Sequence, residues 1–98
     1  MRRSFVVSVK LNGRKIDEIQ IDPHFEKKHS KTVNDFIIIA LVKSLDGSEH
    51  KPDAVGKDGF EYFVKDPILL HDKPYRLVWL LHPKETYVGI LNCFRRSK

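Results

Sequence analysis

The sequence predicts an α+β domain: an N-terminal β-hairpin, one or two helices, then a three-stranded antiparallel meander with the helix packed on one face of the sheet. Three observations carry that expectation. Asn12-Gly13 separates two alternating, β-branched runs at residues 5–11 and 15–21, and Asn-Gly supplies the two positive φ angles of a type I′ hairpin turn. A long apolar segment over residues 33–45 follows helix-start signals. After Gly59, three strand-like runs follow at residues 60–65, 75–82 and 86–95.

Each element has a local cause. Asp22-Pro23 reads as an N-cap followed by Pro at the first helical position, where a missing N–H costs nothing, so residues 24–29 are expected to form a short helix. Thr32, with Asp35 three residues on, reads as a second start with a capping box. The helix that follows is apolar nearly all round and is expected to be buried on more than one side. Gly47 is its stop signal. Residues 46–58 are turn-rich and read as one long loop. With Pro83 and Lys84 as a two-residue turn, Tyr75, Leu77, Trp79 and Leu81 face Asn92, Ile90, Val88 and Thr86 on the helix side. Arg76, Tyr87, Cys93 and Arg95 then fall on the other face.

The 98 residues form one domain, being well within the usual range of about 50–250. The longest apolar run, residues 36–42, is far short of a membrane span, and no secretory leader is legible at the start. A single cysteine, Cys93, excludes an internal disulfide and points to a reducing, cytoplasmic setting. Within a predicted strand it reads as a packed residue rather than a nucleophile. The net charge of +5 is concentrated at the two ends: residues 1–15 carry five bases and no acid, and residues 75–98 carry +4. If the fold joins these ends, they form a surface for phosphates or an acidic partner. Arg76 and Tyr87 suit phosphate binding and base stacking, and Gly89 leaves room for a close approach. No metal site is legible: His24 and His29 are five apart and no carboxylate completes a set. Those two histidines lie in a lysine-rich segment, where neighbouring positive charge disfavours the imidazolium.

The last third of the chain, with Tyr75-Arg76 opening one strand and Arg95-Arg96 ending the next, resembles the closing hairpin of RelE/ParE-type toxins, within the wider barnase–EndoU–colicin–RelE group of small ribonucleases. The stretch from Asp22 to His29 is similar to the Lys-His element that precedes a helix in phage-associated members. The resemblance implies metal-independent RNA cleavage with no cofactor, RNA as substrate, and a cognate antitoxin or another acidic protein as partner. It places His29 or His24 as general acid and base, and Arg76 and Arg95 on the scissile phosphate. Tyr87, Asn92 and Arg96 would contact substrate, although the register above puts Asn92 on the helix side. The N-terminal hairpin departs from the single strand and helical pair common in that group. A second expectation therefore stands beside the ribonuclease: a non-catalytic module that binds protein or nucleic acid through the same sheet.

Overall fold

The computed structural model describes residues 3–21 and 33–96. The N-terminal hairpin forms as expected, from β1 (Arg3–Leu11) and β2 (Arg14–Ile21). Leu11 pairs with Arg14, and Asn12 and Gly13 take φ of 53° and 75°, the left-handed values a type I′ turn requires. The one described helix, α1 (Asp35–Ser44), is capped by Asn34, whose side-chain oxygen accepts from the Ile37 N–H at 2.9 Å. Thr32 and the short helix expected at 24–29 lie outside the described residues. Gly47, at φ 83°, follows the helix end as anticipated. Four further strands complete the chain: β3 (Ala54–Val55), β4 (Glu61–Leu70), β5 (Lys73–Leu81) and β6 (Tyr87–Arg95).

These strands correct the expected architecture. The protein is mostly one six-stranded mixed sheet, in the order β1-β2-β6-β5-β4-β3, with a single ten-residue helix. The last three strands are not a separate meander carrying a helix. The reason is the pairing of β6 with β2, parallel over Glu18↔Tyr87 to Ile21↔Ile90, which fuses the N-terminal hairpin to the C-terminal strands. The supposed loop at 46–58 contributes β3, which pairs with β4. β4 also runs past residue 65 to Leu70 and turns tightly at His71-Asp72, both at positive φ without glycine. Pro67 sits in a register irregularity between Lys65 and Ile68, which lets β4 continue through a residue that cannot donate to a ladder.

One face of the sheet carries the core. Val7, Val9, Ile16, Ile19, Phe63, Leu77, Trp79, Leu81, Val88 and Ile90 form a single buried cluster with Ile38, Leu41, Val42 and Leu45. Among the described residues no charged or polar residue is fully buried. The helix contacts β1 and β4, strands near opposite edges of the sheet. It buries one face only: Phe36 is 83% exposed, against the expectation of burial on more than one side. Among the described residues, no helix is long and apolar enough to cross a membrane.

His50 ties the 46–58 segment to this core. Its backbone exchanges hydrogen bonds with the Asn12 side chain, its Nε2 lies 2.8 Å from Ser48 Oγ, and its ring meets the Trp79 edge-on at 5.3 Å. Burial first, and then the charge of Lys65, hold the imidazole below its ordinary value of 6.5. The unfolded chain therefore binds the proton more readily than the folded one. This contribution to stability is complete above the ordinary value and is lost as pH falls through it towards the lowered one. The melting temperature of the wild type should drop more between about pH 7 and about pH 5 than that of His50→Gln, which keeps a donor for Ser48 but does not titrate. Parallel profiles for the two proteins would show that His50 does not contribute.

Candidate functional site

The face opposite the core is where the expected site residues were placed, and the register of β5 against β6 decides what it carries. The connection between these strands is not the two-residue Pro83-Lys84 turn. His82 Nδ1 accepts from the backbone N–H groups of both Lys84 and Glu85 at 2.9 Å, curling the chain into a longer loop. Thr86, expected inside the sheet opposite Leu81, is exposed and is tied to β2 instead. Its Oγ1 donates to Asp17 Oδ1, and its carbonyl accepts from the Asp17 N–H, both at 2.9 Å. Leu81 therefore pairs with Val88, and Trp79 with Ile90. A second irregularity, between Val78 and Trp79, leaves Leu91 as an extra residue in β6 and reverses the facing of everything after it.

That bulge redistributes the candidates. Asn92 pairs with Val78 and joins the outer face, whereas the expected register had it on the helix side. Cys93 turns inward opposite Leu77 and is fully buried. Arg95 pairs with buried Tyr75, so it projects to the core side at the sheet's rim, while Arg76, paired with Phe94, stays on the outer face. The structure thus separates Arg76 from Arg95 and joins it to Arg96. Both Arg76 and Arg96 place Nη1 on Asp66 Oδ2, at 3.2 and 3.1 Å. Asp66, on β4, went unnoticed in the sequence because it lies between the runs at 60–65 and 75–82, in a stretch assigned to no element. His24 and His29 lie outside the described residues.

Two further arginines of the basic ends are also engaged. Arg3 makes a bidentate pair with Asp35, with both contacts at 2.8 Å. Arg14 donates through Nη2 to the carbonyls of His82 and Glu85, at 2.6 and 3.2 Å. The ends do converge, since β2 lies beside β6, but their arginines are distributed over separate partners.

The outer face carries a hollow of about 200 Å³ around Gly89. Tyr62 from β4, Leu80 from β5 and Tyr87 from β6 wall it, with Phe60, Gln20 and Leu91 completing the rim. The parallel register explains Gln20, which stands beside Gly89. Leu80 faces Gly89 and leans across it, so that a Cβ on Gly89 would lie 3.0 Å from the Leu80 side chain. Part of the room anticipated at this glycine is therefore already filled, and the remainder opens between two tyrosines. The hollow is smaller than the roughly 300–1,000 Å³ of drug-sized sites and suits one planar group. Phe60 and His82 meet edge to face at 4.9 Å, and His82 lies tilted against Tyr87 at 5.6 Å, extending the aromatic wall into the loop. Phe60, Tyr62, Gln20 and His82 were not expected at a site. An aromatic residue alternating with apolar ones in β4 was the signal available for Tyr62.

Cys93 offers no chemistry to this face. Burial pushes its thiol up to about 12, and a thiolate is needed for nucleophilic attack. Iodoacetamide at neutral pH is expected to leave the native protein unmodified and to alkylate it fully once denaturant is added. Rapid native labelling, read by mass spectrometry, would contradict the burial. Among the described residues no group of His, Cys, Asp and Glu is arranged to hold a metal ion. No protein-family model, curated protein or solved structure matches the chain.

Proposed function

We propose that the protein is a small, non-catalytic RNA-binding module of the cytoplasm, which takes an unpaired base into the hollow between Tyr62 and Tyr87. The observation that carries this reading is the aromatic hollow on the outer sheet face. Every nucleobase presents a π-face, so stacking between tyrosines accommodates single-stranded RNA without needing a sequence. Arg76 and Arg96 lie on the same face, at the far end of β5 and β6. Four steps along β5 separate Leu80, the partner of Gly89, from Arg76, which is about 13 Å, a few nucleotides' reach. The likeness of the closing hairpin to RelE/ParE-type toxins agrees with an RNA ligand. The imidazoles to which that likeness assigns cleavage, His24 and His29, lie outside the described residues.

Fluorescence anisotropy with a labelled single-stranded RNA of about ten nucleotides tests the proposal. Saturable binding is expected, weaker for the duplex of the same sequence, because paired bases are not available to stack. The salt dependence should be shallow. Each neutralised phosphate lowers log K by about 0.7 per log unit of salt on single strands, and most arginines here are already paired. Absence of binding at low salt would overturn the reading. Recovery of shortened RNA after incubation would replace it with the ribonuclease.

A further inference from the structure

Resting on the reading above, in which a base fills the hollow, we propose that His82 is a binding residue that donates a hydrogen bond from Nε2 to a phosphate oxygen of that same nucleotide. Its tautomer is fixed by the loop it builds. Nδ1 accepts from two backbone N–H groups, those of Lys84 and Glu85, so the proton of the neutral ring resides on Nε2. The ring's orientation is fixed as well, by its contacts with Phe60 and Tyr87, both of which wall the hollow. Among the described residues Nε2 meets no acceptor.

Charge of both signs surrounds it: Asp17 and Glu18 of β2 lie at Thr86 and beside Tyr87, while the loop's own contacts are basic in balance. Arg14 reaches across from β2 and lays its guanidinium on the His82 and Glu85 carbonyls. Lys84 is exposed in the same loop, and Glu85 is the loop's one acid. A preset N–H donor on a ring packed against two walls of a base-sized hollow, with a guanidinium held on the same loop, combines aromatic walls for a base with a donor for its phosphate. An N–H to an ionised oxygen is the stronger kind of hydrogen bond. Because His82 is already held by its own loop, little side-chain entropy is lost when the ligand arrives.

Adenosine and adenosine monophosphate separate the two parts of this site. The wild type should bind the monophosphate about tenfold more tightly than the nucleoside, the increment expected of a hydrogen bond to a charged group. His82→Asn is the informative variant. Its Oδ1 takes the place of Nδ1 and still accepts from Lys84 and Glu85, but it has nothing where Nε2–H was. The variant should lose the preference for the monophosphate, its affinities for the two ligands becoming equal, with the Lys84 and Glu85 amide resonances unmoved. In the wild type, the His82 Nε2 resonance should shift on addition of the monophosphate and not on addition of the nucleoside. A preference that survives in His82→Asn, or equal affinities in the wild type, would overturn the assignment of His82 and leave the hollow's role intact. Failure of adenosine itself to bind would overturn the hollow as a base site.

Discussion

Trp79→Ala is expected to lower the melting temperature by more than about 10 °C. Trp79 is 1% exposed and stacks on Phe63 with ring centroids 5.3 Å apart and planes within 9°. It also carries the edge-on contact with His50, through which the 46–58 segment is pinned. Its removal would strip packing from β4, β5 and that segment at once, and the surrounding sheet has no freedom to close the gap. Truncating a buried Trp typically costs about 3–5 kcal/mol. A domain of this size has roughly 5–15 kcal/mol in total. Circular dichroism melts check the expectation, since the substitution removes the only tryptophan fluorophore. A fall of only a few degrees would mean that β4 and β5 do not depend on this ring.

Tyr87→Ala is expected to cause the largest loss of RNA affinity from any single change on the outer face. Base–aromatic stacking is worth about 1–3 kcal/mol per base, or roughly 5- to 150-fold in affinity. Tyr87 stands at the start of β6 beside Glu18 and against His82, so its loss also removes support from the loop's aromatic wall. Tyr62→Ala, on the far side of the hollow, should weaken binding to a similar extent. The pair together should lose less than the product of the single effects, because both rings hold one base. Tyr87→Phe separates stacking from the phenol: it should retain most of the affinity. Anisotropy titrations, accompanied by melts showing that each variant is folded, give the result. A Tyr87→Ala protein that binds as the wild type does would exclude the hollow as the binding site.

How far the sequence reached can be judged from particular residues. Asn12-Gly13 is a local signal with one steric solution, and the hairpin it predicts is present. The inward set Tyr75, Leu77, Trp79 and Leu81 follows from strand alternation, and all four are buried. What failed was non-local or depended on a single side chain. No periodicity marks the parallel pairing of β2 with β6, because strand neighbours far apart in sequence leave no local trace. The His71-Asp72 turn lacks glycine, so β4 was cut short. The His82 hydrogen bonds lengthen the last loop, and the extra residue at Leu91 then exchanges the faces of Asn92 and Arg95. The candidate site suffered most from these two errors. It was built from residues counted along one strand, and a single insertion inverts every later member of such a count. Arg76 and Tyr87, which precede that insertion or lie on the other strand, kept their face.

The position of β6 between β2 and β5 has a consequence for how the protein comes into being. It is the last of the described strands in chain order, yet among the described residues it is the strand that pairs the first hairpin with the rest of the sheet. Until it emerges, the nascent chain holds two half-sheets, each with an unpaired edge and an uncovered apolar side, a state prone to association with other chains. Assembly of this sheet is thus postponed until β6 is made, and truncation before residue 87 should yield insoluble fragments rather than a smaller working domain.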